Sequence, residues 1–186
     1  MSLKKIALFS AVACIGFLSV ANANYTFYNR YVGQYLSVGA GVSYADKIYV
    51  NGAKESGFRG FGTGLFLGDL ITRYWGPEIG FQYFDLPQMG GLILLNLTGR
   101  FTQSFGQSVS LFEKLGIGLD ELRTCYQGCF TSDNMSPTFG LGIGVGLTEQ
   151  WMTSLEFNGA YLTTNSQNGA GVIGGFTLGA TRYFNT

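Results

Sequence analysis

Gly140-Leu141-Gly142-Ile143-Gly144-Val145-Gly146-Leu147 places a glycine at every second position and an aliphatic side chain between. A period of two puts Leu141, Ile143, Val145 and Leu147 on one face of a strand and bare backbone on the other; a helix would scatter them around its axis. Glycine weakens an ordinary strand, so the run needs a face on which side chains must stay small. The inside of a narrow closed barrel is such a face, and a uniformly aliphatic outer face is suited to lipid.

Working outward, seven further segments carry the same alternation. The expected strands are Tyr35–Tyr44, Arg59–Gly68, Tyr74–Phe84, Leu92–Phe101, Ser108–Leu119, Thr138–Leu147, Trp151–Tyr161 and Val172–Phe184. Short turns at 69–73, 102–107 and 148–150 alternate with longer connections at 45–58, 120–137 and 161–171 and a short loop at 85–91. Outer-membrane barrels keep periplasmic turns short and extracellular loops long, which would put both chain ends in the periplasm. Tyr74, Trp75, Trp151, Tyr183 and Phe184 flank the short turns, and Tyr44, Phe61, Tyr83, Phe84 and Tyr161 lie toward the long loops. Two aromatic girdles suit the two interfaces of a bilayer.

Composition and the N-terminus agree with export. Lys4 and Lys5 precede an apolar run from Ile6 to Val20, and Ala21-Asn22-Ala23 offers the small residues that signal peptidase requires. Residues 1–23 are expected to be a cleaved signal peptide, and 24–186 one barrel domain. Removing 23 of 186 residues leaves 163, with 9 basic residues (11 less Lys4 and Lys5) against 11 acidic ones, hence a net charge of −2. No basic stripe invites nucleic acid. Charged residues make up 12% and aromatic ones 16%, yet no segment of the mature chain is apolar for the 18 or so residues of a spanning helix. A closed barrel reconciles the two, because alternation keeps each strand's mean hydropathy modest.

Parity gathers Glu78, Arg100, Lys114 and Glu156 on the inward face. Two acids and two bases in a low-dielectric lumen are expected to pair as a structural charge network. A catalytic carboxylate pair, Glu78 with Glu156, is the disfavoured alternative. The chain contains no histidine, which removes the usual general base of membrane lipases and acyltransferases and a usual zinc ligand. No cofactor is expected. Cys125 and Cys129, the only cysteines after position 14, are expected to form a disulfide in the longest loop, since an exported even pair bridges more often than it binds metal.

Gly76-Pro77-Glu78-Ile79-Gly80-Phe81-Gln82-Tyr83-Phe84, Leu111-Phe112-Glu113-Lys114-Leu115-Gly116, Gly140 to Trp151 and Leu155-Glu156-Phe157 together resemble strands of the small eight-stranded outer-membrane barrels of the OmpA-like transmembrane type. The closing Thr177 to Phe184 is similar to the strand that family presents to the barrel-assembly machinery, with Arg182 at a usually apolar place and Asn185-Thr186 after the usual terminal aromatic. The resemblance implies a bacterial source and a lumen plugged by charges. The expected fold is all-β, an eight-stranded antiparallel up-and-down transmembrane β-barrel in outer-membrane lipid. Its expected role is structural or adhesion-like, with any surface partner met by the loops 45–58, 120–137 and 161–171. The alternatives are a histidine-free lipid-modifying enzyme of that membrane and a soluble lipocalin-like binder of apolar ligands.

Overall fold

A computed structural model describes residues 31–50, 53–86, 90–106, 108–124, 130–162 and 171–184. The order is β1 (Gly33–Val50), β2 (Ala53–Leu70), β3 (Trp75–Leu86), β4 (Gly90–Phe105), β5 (Val109–Thr124), β6 (Phe130–Gly146), β7 (Trp151–Leu162) and β8 (Gly171–Phe184). Each strand pairs antiparallel with the next, and β1 pairs with β8 from Gln34↔Phe184 to Asp46↔Val172, closing the barrel. Closure leaves no edge strand to be satisfied by solvent or by another chain.

The expected alternation governs the wall. Along β6, Leu141, Ile143 and Val145 are exposed on the outer face while Gly142 and Gly144 are buried. The glycines make room for large lumen side chains from neighbouring strands. A Cβ at Gly142 would collide with the Phe112 ring, one at Gly80 would lie 2.5 Å from the Phe66 ring, and one at Gly68 would collide with Tyr35. Eight strands enclose an interior only wide enough for side chains to fill it, so every bulky inward residue requires a bare neighbour.

Strand lengths correct the expected loops. Most of the segment 45–58 is paired strand, since β1 runs to Val50 and β2 starts at Ala53, with pairs from Ala45↔Gly57 to Val50↔Ala53. Likewise β5 and β6 pair from Asp120↔Asn134 to Thr124↔Phe130, inside the expected loop 120–137. The 85–91 loop loses residues at both ends, and β4 runs to Phe105 through the expected turn 102–107. The reason is physical: apolar alternation marks where the outer face meets an apolar solvent, whereas backbone pairing continues beyond it wherever two strands stay adjacent. A membrane strand needs about 9–11 residues, while β1 and β2 have 18 each, β5 has 16 and β6 has 17. Two hairpins therefore stand well above the rest of the rim. Gly60, at φ +91°, lies where the β1–β2 register shifts between Val42↔Phe61 and Tyr44↔Phe58, a β-bulge that glycine accommodates.

Within the lumen the buried side chains form layers. Phe84, Leu92, Leu94, Leu162 and Ile173 fill the end toward the tall hairpins, and Tyr35, Leu70, Phe112, Met152 and Tyr183 fill the short-turn end. The start of β1 and the end of β8 lie at the latter: Gly33 pairs with Leu70 and Phe184 with Gln34.

Candidate functional site

Between the two apolar layers lies the charged one. Lys114 on β5 projects inward, and its Nζ is 3.0 Å from Glu78 Oε1 on β3 and 3.0 Å from Glu156 Oε2 on β7. The two carboxylates come from strands on opposite sides of β5, each one strand removed from it, so one ammonium ties together a five-strand arc of the wall. All three residues are at most 3% exposed. An unpaired charge in such surroundings costs several kcal/mol, and the remaining carboxylate oxygens are correspondingly occupied. Tyr35 donates to Glu78 Oε2 at 2.7 Å, Ser154 donates to Glu156 Oε1 at 2.7 Å, and Asn158 Nδ2 donates to Glu156 Oε2 at 3.2 Å.

Arg100 occupies the same layer by a different bond. It pairs directly with Lys114 across the β4–β5 ladder, a like-charge juxtaposition that is unfavourable on its own. Among the described residues it closes no ion pair within 4 Å. Its guanidinium instead lies 4.0 Å from the Phe112 ring centroid and 4.9 Å from that of Tyr35. The rings meet the cation through their negative faces, an interaction strengthened by desolvation. Lys114 uses the same device, 3.9 Å above Phe66. The lumen thus brings together all four expected charges, but only three of them as ion pairs, with Arg100 clasped by aromatics.

Tyr183 corrects an expectation. It does not join the outer girdle: parity turns it into the lumen, where it is 1% exposed and stacks 5.4 Å from Tyr35 and 4.8 Å from Tyr31. Tyr31 donates to the Thr148 carbonyl at 2.7 Å, drawing the segment before β1 across the short-turn mouth. Trp75, Trp151 and Phe184 stay on the outer face, each just over 40% exposed, and Tyr74 lies half-buried in the turn before β3. Parity from Phe157 turns Asn158 inward as the sequence predicts, though not as a partner of the charges, and the sequence reading missed Tyr35, which strict parity from Leu36 would have turned inward.

The arrangement suits a plug and not acid–base chemistry. A working carboxylate pair needs one member protonated and a substrate path, whereas Glu78 and Glu156 share one ammonium and are sealed between two apolar layers. Among the described residues no group of three or more acidic or cysteine side chains could hold a metal. Cys125 and Cys129 lie outside the described residues, as do positions 1–30 with the expected signal peptide.

No protein-family model and no curated protein matches the sequence. Solved structures do match in shape. The crystal structure of Neisserial surface protein A is similar over 82% of this chain and 97% of its own, at 14% identity and a TM-score of 0.65. Ail, the attachment invasion locus protein of Yersinia pestis, is similar over 82% and 99%, at 17% identity and a TM-score of 0.57. The N-terminal β-barrel domain of Pseudomonas aeruginosa OprF is similar over 81% and 98%, at 10% identity and a TM-score of 0.58. A closed ring of eight antiparallel strands, apolar outside and charged within, has the fold of the small bacterial outer-membrane β-barrels.

Proposed function

We propose that this chain is an integral protein of the bacterial outer membrane, without enzymatic activity, whose two tall hairpins and the 163–170 connection form a surface for attachment or for structural contact. The observation that carries the membrane placement is the inversion of the barrel. Leu67, Leu97, Ile117, Leu119, Leu155 and Leu178 are all more than half exposed on the outer face, while Glu78, Arg100, Lys114 and Glu156 are buried inside. A soluble lipocalin-like barrel needs the opposite distribution, with an apolar cavity and a polar outside. Lipid on the outside makes the arrangement favourable, since the exposed aliphatics then leave water at about 25 cal/mol per Å².

In this placement the short turns 71–74, 106–108 and 147–150 face the periplasm, and β1–β2 and β5–β6 rise beyond the bilayer on the cell surface. A paired ribbon continued from the barrel wall is a surface element positioned by a rigid scaffold, which suits recognition. That Ail, named for attachment and invasion, has this fold supports the adhesion-like reading. Outer-membrane lipid and, during insertion, the barrel-assembly machinery are the partners the reading requires. Two measurements test it. The purified protein should need detergent and migrate differently before and after boiling, and cells displaying it should adhere to host-cell layers more than cells displaying a form in which 47–57 and 121–133 are replaced by short turns. A monodisperse barrel in plain buffer would overturn the membrane placement, and equal adhesion by the two forms would overturn the surface role.

A further inference from the structure

The outer face is not uniformly apolar at the short-turn end. Pro77 has no N–H to give to the ladder, and β2–β3 pairing stops at Gly68↔Glu78, one step before it. The result is a groove of about 340 Å³, lined by Leu67, Pro77, Ile79 and Leu97 and rimmed by Gln34 and Asp69. Its floor is apolar and its rim is polar, with the exposed Asp69 carboxylate on the side toward the short turns.

A cation stands two strands away. Arg182, exposed on β8, lies 5.4 Å from the Phe184 ring and 5.7 Å from the Trp151 ring, directed toward the short-turn rim. Phe184, Gln34 and Asp69 are successive partners in one cross-strand row, whereas Arg182 itself pairs with Leu36, so Gln34 lies between Asp69 and the Phe184 ring beside the cation. With strands about 4.8 Å apart and about 3.4 Å per residue along a strand, the Cα atoms of Arg182 and Asp69, two strands and two residues apart, are separated by roughly 12 Å, and a bridging group that carries both signs suits the gap. Among the described residues Asp69 has no ion-pair partner.

We propose that this face binds one glycerophospholipid with a phosphoethanolamine head: phosphate on Arg182, ammonium on Asp69, glycerol backbone near the Gln34 amide, and one acyl chain along the groove past Pro77 and Ile79. The inference rests on the membrane reading above. Charge complementarity selects the head: a phosphoglycerol head offers no cation to Asp69 and places its anion beside that carboxylate. The apolar floor, continuous with the exposed aliphatics Leu36, Leu67 and Leu97, selects a lipid chain over a soluble metabolite. The built-in reporters are the only two tryptophans of the chain. Trp75 is two residues from the groove residue Pro77 on the same outer face of β3, and Trp151 is next to Arg182.

The test titrates the detergent-solubilised full barrel with phosphatidylethanolamine or phosphatidylglycerol carrying the same brominated acyl chains, and reads tryptophan quenching. Saturable quenching is expected, with half-saturation at least tenfold lower for the ethanolamine lipid. Asp69→Asn should reduce that preference to less than threefold, and Arg182→Gln should weaken both lipids. Equal or linear quenching by the two lipids in the unmodified protein overturns the proposal, as does a preference that Asp69→Asn leaves intact. Because the contrast between lipids is made on the unmodified chain, a variant that fails to fold does not decide the outcome. A barrel that stays folded and monodisperse without detergent would be failure of the membrane reading instead, a result visible before any lipid is added.

Discussion

Replacing Lys114 by methionine should unfold the barrel far more readily than replacing either of its partners. The ammonium contacts Glu78 and Glu156 at 3.0 Å each, and at an effective dielectric of about 20 each contact is worth roughly 5 kcal/mol before desolvation is counted. Burying the three ions offsets most of that gross attraction, so the intact triad adds little net stability; the penalty appears when one member is removed. Stranding a single buried partner costs about 3–5 kcal/mol. Lys114→Met strands two carboxylates and also removes the cation from above the Phe66 ring, so a loss near about 5 kcal/mol is expected. Methionine has similar volume, which keeps a cavity contribution small. Glu156→Gln should lose less, about 3 kcal/mol, because Lys114 retains Glu78 and the Ser154 hydroxyl can still bond to the amide. Glu78→Gln, Lys114→Met and Glu156→Gln combined should regain most of the single-variant loss, since no ion is then left alone. The assay is urea unfolding of lipid-embedded barrel, followed through Trp75 and Trp151 fluorescence. Equal midpoints for Lys114→Met and the unmodified protein, or a triple variant no more stable than the single one, would refute the triad's role.

Gly142→Leu should cost about 1–3 kcal/mol by driving its side chain into the Phe112 ring, and adding Phe112→Ala should return part of it; the same urea titration checks both. Cysteines introduced at Asn51 or Asn165 should react with an impermeant maleimide on intact cells, while one at Gln150, exposed in the turn after β6, should react only after lysis; the reverse pattern would invert the orientation. Cys125 and Cys129 are proposed to form a disulfide. Closing so short a ring should stabilise by only about 2 kcal/mol, so Cys125→Ser with Cys129→Ser should leave heat-modifiable migration unchanged. Mass spectrometry that finds two free thiols in exported protein would refute the bridge.

What the sequence by itself determined is the wall. A period of two is a local property of each segment, so Gly140 to Leu147 and its seven counterparts assign inside and outside without reference to any neighbour, and eight alternating segments with short and long connections admit one closed up-and-down order. Parity also brought Glu78, Arg100, Lys114 and Glu156 to the lumen. Strand length was not legible, because Asp46, Asp120 and Asn134 lie in paired backbone where apolar alternation has stopped; hydrogen bonding continues past the apolar belt and leaves no pattern in the side chains. Register was not legible either, and register decides which charges meet. The one-to-one pairing of β4 with β5 sets Arg100 beside Lys114, and closure of the ring brings Glu78 and Glu156 within reach of the same ammonium. Only tertiary structure could therefore give Arg100 to aromatic rings and bring Arg182 and Asp69 to the same end of the outer face, two strands apart, from strands near opposite ends of the chain.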